Sequence, residues 1–327
     1  GAIALIAHWA SSFPVLTLQS GKIGFLIVAS FTLGSWLLKK WFKHIIVFTL
    51  VILISITWLQ RWPGGDWQVA NCDIGQGDSM VINLGNHRGI VIDVGPNPVA
   101  EDRCLKALGI KEIPLLILSH FHADHVAGLT GAIKNRAVGQ VWVSVNSAPL
   151  IESAKAQAAL KGVEMIKAVR GMSARVGPLT IRVLWPTLSA TSFEEMPGDG
   201  SQINNSSIAT LITSDAFSLF AGGDLEPPVQ EILVKDVGPV DIYKVCHHGS
   251  RYQDLAFMSA LHPRISIISV GAGNTYGHPA VQTLQALARL GSEVLRTDID
   301  GAVAVQVRNH QFTVRRAKGR FNLIRWG

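Results

Sequence analysis

Charge is scarce in this sequence. Only 16% of its 327 residues are Asp, Glu, Lys or Arg, while 48% are hydrophobic. That composition excludes a solvated, disordered chain and leaves ample apolar surface for a packed core or a membrane segment. Acids are missing altogether from residues 1–60, whose only charged side chains are Lys22, Lys39, Lys40 and Lys43. They are missing again from the last twenty residues, which carry Arg308, Arg315, Arg316, Lys318, Arg320 and Arg325. The net charge of +6 is therefore local rather than spread over the molecule. Cysteine is rare too. Cys72, Cys104 and Cys246 form no CxxC pair and no knuckle spacing, which excludes a cysteine-based zinc module. They are read as isolated free thiols, with Cys246 buried at a strand end. Pairing of Cys72 with Cys104 stays open for a domain outside the cytoplasm. No repeat of solenoid length is present. The chain opens Gly-Ala-Ile and is read as a C-terminal fragment or a processed chain.

Two apolar runs, Gly24 to Leu38 and Ile45 to Leu59, flank Lys39-Lys40-Trp41-Phe42-Lys43-His44. Each is shorter than the roughly 20 residues of a spanning helix. Flanking Lys can snorkel and Trp can sit at headgroup level, which extends each run. The expectation is a membrane segment over residues 1–62. It comprises a partial helix ended by Pro14 and a transmembrane helical hairpin with helices at about 22–40 and 43–61. The lysine-rich connection places the turn in the cytoplasm, and residues 63–327 outside it.

From Trp67 onward short β-like runs alternate with helices, and polar residues recur at strand ends. One turn stands out: Ser119-His120-Phe121-His122-Ala123-Asp124-His125, between the apolar run Leu115 to Leu118 and a helix start at Val126. His120 and His122, two apart, project to one side of an extended backbone. Asp124 and His125 curl back at the helix start towards a second ion. Imidazoles with one carboxylate suit zinc, manganese or iron rather than calcium.

H-x-H-x-D-H in this setting resembles the signature of the metallo-β-lactamase superfamily. The resemblance implies an α/β fold, an αββα sandwich with metals at one edge between two sheets. It also implies roles for two dispersed residues: Asp224, after Gly222-Gly223, bridges two divalent ions, and His247 ligates the second. Metal one then takes His120, His122 and Asp224; metal two takes Asp124, His125, Asp224 and His247. Such ions, manganese or zinc, lower the pKa of a water and stabilise charge on a phosphoryl or carbonyl oxygen. One departure matters. Where many members place a further His for metal one, this chain has Asn204-Asn205-Ser206-Ser207. An oxygen-richer shell shifts preference towards manganese. Further candidates carry two readings each. Asp78 reaches the site or orients a ligand, or caps its own turn. His248 donates to a substrate oxygen, or packs. His278 protonates a leaving group, or merely starts a helix before Pro279. Asp93, at its strand end, is expected behind a ligand histidine.

In chain order, D-x-G-Q-G-D-S from Asp73, I-D-V-G from Ile92, H-x-H-A-D-H from His120, N-N-S-S from Asn204, G-D-L-E from Gly223, H-H-G-S from His247 and Y-G-H-P from Tyr276 narrow the resemblance. With a membrane segment ahead of them they resemble the C-terminal part of the ComEC family of bacterial DNA-internalisation proteins. That family implies a multi-pass protein of the inner membrane, with DNA, membrane lipid and other competence proteins as partners. The hydrolase domain, outside the cytoplasm, cuts phosphodiesters of the strand that is not transported. A membrane-tethered phosphodiesterase acting on a small or cell-wall ester, and a catalytically inactive structural domain of the channel, are the alternatives. The basic tail reads as a DNA track, a charge-protected edge or a lipid contact.

Overall fold

The computed structural model describes residues 22–59, 62–188, 193, 195 and 200–318. The partial helix expected before Pro14, and Arg320 and Arg325 of the basic tail, lie outside the described residues. The chain divides into two units, Gly1–Arg61 and Trp62–Gly327.

In the first unit the expected hairpin is corrected. Lys22–Leu59 is one continuous helix of 38 residues. The stretch Lys39 to His44 contains neither Gly nor Pro, so nothing interrupts the i to i−4 ladder there. The Lys40 ammonium lies 5.5 Å from the Trp36 ring one turn earlier, a local contact that favours continuation. Lys39, Lys40 and Lys43 thus fall mid-helix. Among the described residues no helix is long and apolar enough to cross a membrane. Phe25, Phe31, Trp36 and Phe48 of this helix are exposed.

The second unit is a four-layer αββα sandwich. Its first sheet runs, in spatial order, Gln311–Arg316, Val303–Arg308, Trp67–Asn71, Met80–Gly85, Arg88–Ile92, Glu112–Leu118, Ala137–Val143 and Glu164–Lys167. The second runs Glu293–Arg296, Ile265–Ile268, Ile242–Lys244, Ser218–Ala221, Ala209–Thr213, Leu179–Trp185 and Ser173–Val176. Strands alternate their side chains between faces, and both faces here are covered. Ile117 packs between the sheets, whereas its neighbours Leu116 and Leu118 pack under the helices of the first sheet. Leu219 and Phe220 divide the same way in the second. Each such fully buried side chain contributes ~1.5–3 kcal/mol through removal from water. Ser173–Val176 has no counterpart in the sequence reading. It is an edge strand without a buried residue, so its apolar signal is weak.

The free-thiol reading of Cys72 and Cys104 is also corrected. They form a disulfide, with Cα atoms 5.9 Å apart, and close a loop across a separation of 32. Cys72 follows the strand Trp67–Asn71; Cys104 lies on the helix Pro98–Ala107. Both belong to one core between that sheet and its helices, which brings them together. Cys246 is free and buried.

Candidate metal centre

The predicted site residues converge where strands of both sheets end. From the first sheet, Arg88–Ile92 delivers Asp93 and the parallel strand Glu112–Leu118 delivers the histidine turn. From the second, the parallel strands Ser218–Ala221, Ile242–Lys244 and Ile265–Ile268 lead to Asp224, to His247 and His248, and to Ser269. Carboxyl ends of parallel strands are where open α/β sheets place ligands. Two glycines make the approach possible. A Cβ on Gly77 would lie 2.1 Å from the Asp124 carbonyl, and one on Gly223, at φ +54°, 2.9 Å from the Ser207 Cβ.

Asp124, His125, Asp224 and His248 form a tight group, with one ligand atom of each within 4.8 Å of the others, and Asp78, Asp93 and His125 form a second behind it. His125 Nε2 is 3.2 Å from Asp224 and 3.8 Å from Asp124. His248 Nε2 is 3.1 Å from Asp124 and 3.5 Å from Asp224. Beside this group, His120 Nε2 lies 3.1 Å from His122 Nδ1 and 4.0 Å from Asp224. The residues fit a divalent ion. Donors held at ~2.0–2.2 Å from one ion stand about 3–4 Å from each other. Asp224 Oδ1 and His125 Nε2 are buried 3.2 Å apart and make no hydrogen bond of regular geometry, an arrangement that suits two donors aimed at one cation.

The charges support the same reading. Burial pushes His125 and His248 down, but the surrounding carboxylates, Asp224 foremost, outweigh it and hold both imidazoles well above their usual range. Burial likewise pushes Asp124 and Asp224 up, and His125 with His248 pulls both below the usual carboxylate range. His120 is different. Burial and the neighbouring His125 hold it well below its usual value, which keeps the imidazole neutral, the form that ligates a metal.

Hydrogen bonds behind the ligands fix their orientation. Asp93 accepts from the Ser119 amide and hydroxyl, each at 2.7 Å, and lies 2.9 Å from His125 Nδ1. That leaves His125 Nε2 facing the centre. His248 Nδ1 is 3.0 Å from the Ser269 carbonyl, which aims Nε2 inward in the same way. Asp78 does not reach the tight group. It sits 3.2 Å from His248 Nδ1 and pairs with buried Lys244 at 2.7 Å. Burial raises the Asp78 carboxyl, but Lys244 and His248 bring it down to about 2. Of its two sequence readings, the geometry places it behind a histidine.

The sequence reading gives the second ion to His247 and a substrate contact to His248; the structure sets both near Asp224, at different distances. His248, not His247, joins the four-residue group. His247 stands on the rim, its Nε2 3.9 Å from Asp224 and its Nδ1 3.6 Å from Glu226. Both have positive φ, 50° and 52°, an uncommon conformation that clusters at functional sites. His278 packs edge-on to His247, with ring centroids 5.5 Å apart. Burial and the adjacent His247 and His248 lower it to about 4, so its imidazole is neutral at pH 7.

Several participants were missed. Ser207 pairs with His120 Nδ1 at 3.1 Å and accepts from the Asp224 amide. Glu226 is buried and accepts from the Asn204 and Asn205 side chains. Asn204 and Asn205, at the motif where the resemblance leads one to expect a histidine, are tied to Glu226 by hydrogen bonds. The G-D-L-E and N-N-S-S motifs contain these residues, but only the fold brings them together.

Comparison with known proteins agrees with this architecture. Residues 72–205 match the model of the Metallo-beta-lactamase superfamily. The chain is 32% identical over 267 residues to ComE operon protein 3 of Bacillus subtilis, which covers 74% of this chain and 33% of that protein. It is 26% identical over 280 residues to Recombination protein 2 of Haemophilus influenzae, covering 84% and 33%. The chain therefore spans about a third of the length of these relatives. Among solved structures, Zn(2+)-bound PqqB from Methylobacterium extorquens is similar with a TM-score of 0.48 and 11% identity, covering 68% of this chain and 85% of that one.

Proposed function

The chain is of the ComEC family, with a metallo-β-lactamase superfamily domain, and from that premise we propose that it is a metal-dependent phosphodiesterase of DNA uptake. In this reading it cuts the DNA strand that is not transported. The observation that carries the reading is the convergence of half-buried Asp124 with buried His125, Asp224 and His248, one ligand atom of each within 4.8 Å of the others.

Those four residues would hold one divalent ion; His120 and His122, with Asp224 shared, would hold a second. When bound, the ions supply an activated water and stabilisation of charge on a phosphoryl oxygen. The chain's own groups do the rest. Asp93 and the Ser269 carbonyl keep His125 and His248 turned inward. His247 and the neutral His278 line the rim, where each offers a ring nitrogen to a phosphate oxygen. The Asn204–Asn205–Glu226 group, where the resemblance leads one to expect a histidine, favours manganese over zinc. Tighter zinc binding with higher zinc-dependent activity would contradict that preference.

The proposed location is outside the cytoplasm, as part of a longer protein of the inner membrane. The Cys72–Cys104 disulfide supports it, because such bonds persist in oxidising compartments. The test uses the full chain on single- and double-stranded DNA with manganese, zinc or no metal. Asp124→Ala is the control. Manganese-dependent cleavage lost in the variant is the expected result. Stoichiometric metal without DNA cleavage would turn the reading to small phosphodiesters, and failure to bind metal would favour an inactive structural domain.

A further inference from the structure

The loop Gly271 to Pro279 carries an aromatic side chain that the metal chemistry leaves unused. Tyr276 is 68% exposed. A single exposed aromatic is ordinary on a protein surface, but this one is built into place. The Asn274 side chain donates to the Gly271 carbonyl at 3.1 Å and to the His278 carbonyl at 2.7 Å. It also accepts from the amides of Tyr276 and His278, both at 3.2 Å. The loop is anchored below as well: a Cβ on Gly271 would lie 2.6 Å from the Gln76 amide, and Gln76 Oε1 accepts from the Gly271 amide. The result is a row of nearly parallel rings. His278 lies at 29° to the inward-facing His248, with centroids 6.3 Å apart, and Tyr276 lies at 28° to His278, at 6.0 Å. The row begins at the metal centre and ends at Tyr276 in solvent. Exposed Arg251, two residues after Gly249, holds its guanidinium 5.7 Å from the Tyr252 ring.

Resting on the phosphodiesterase reading above, we propose that Tyr276 is a stacking platform for a nucleobase of the strand whose phosphate lies at the metal centre. A polynucleotide suits such a ring, because every base has a flat face and stacks on an aromatic ring regardless of sequence.

The test compares the manganese-loaded full chain with Tyr276→Ala and Tyr276→Phe. Fluorescence anisotropy measures affinity for a phosphorothioate single strand and for an abasic strand of equal length; cleavage of ordinary DNA runs in parallel. The wild type is expected to prefer the base-bearing strand about 5-fold or more, the size of one base on one ring. Tyr276→Ala is expected to erase that preference with an unaltered thermal melt, and Tyr276→Phe to retain it. No preference in the wild type, or an unchanged preference in Tyr276→Ala, overturns the platform. In that case cleavage of ordinary DNA by the wild type would leave the nuclease reading standing, and its absence would remove both.

Discussion

Replacing Glu101 with Gln is expected to abolish a large pH-dependent cost of folding. Glu101 lies on the helix Pro98–Ala107 and is fully buried. Neither of its oxygens has a hydrogen bond of regular geometry, although the Ser79 hydroxyl is alongside. Burial pushes its carboxyl from 4.5 up to about 8, against the weaker pulls of Ser79 and Arg136. Between those two values the folded protein keeps a proton that the unfolded chain has lost. Stability therefore falls as pH rises through the window, by about 1.4 kcal/mol per pH unit. Across the window the loss is about 5 kcal/mol, comparable with the whole stability of many domains. Gln carries no such proton. Urea denaturation of wild type and Glu101→Gln in parallel isolates this residue, because every other titrating group is common to both. The variant should gain little at about pH 5 and several kcal/mol at about pH 8. Stability curves that stay parallel across this range would refute the reasoning.

Other outcomes follow from the same structure. Thiol titration of the denatured, unreduced chain should find one free cysteine, and reduction should cost about 4 kcal/mol, the loop-closure entropy of a loop of this size; three free thiols would remove the bridge. His248→Ala should lose bound manganese by elemental analysis while His247→Ala retains it, and equal losses would restore the assignment made from sequence. Asp93→Ala should weaken metal affinity roughly 10- to 100-fold in a competition titration, with the ligands themselves intact.

Much of the centre is legible in the sequence because it is local. His120, His122, Asp124 and His125 occupy six consecutive positions at a strand end, and periodicity alone orients the first pair. Asp224 and Asp93 follow strands whose apolar runs are easy to read. What escapes is set by distant parts of the chain. Nothing at Ser207 announces its bond to His120, 87 residues away. Lys244 reads as an ordinary charge until the fold pairs it with Asp78 across 166 residues. The placing of His247 and His248 has another cause. Two adjacent side chains on a backbone turned through positive φ point in directions that no period predicts. The continuous helix Lys22–Leu59 was missed for the opposite reason. A change of polarity at Lys39 was taken for a turn, although the residues that make turns are absent there.

The order of the strands also dictates when this domain can be finished. Trp67–Asn71, near its beginning, lies between Met80–Gly85 and Val303–Arg308, near its end. While the chain is being made, one side of that early strand stays without its neighbour until the last strands arrive. The metal ligands are divided in the same way. The histidine turn emerges about a hundred residues before Asp224 and His248, so the nascent domain holds only half a chelator. On the proposed ligand set, an ion would be fully held only after His248 has emerged and both sheets have docked. A chain cut short before residue 303 would present an open β edge to its neighbours, and aggregation rather than slow catalysis is the failure to expect from it.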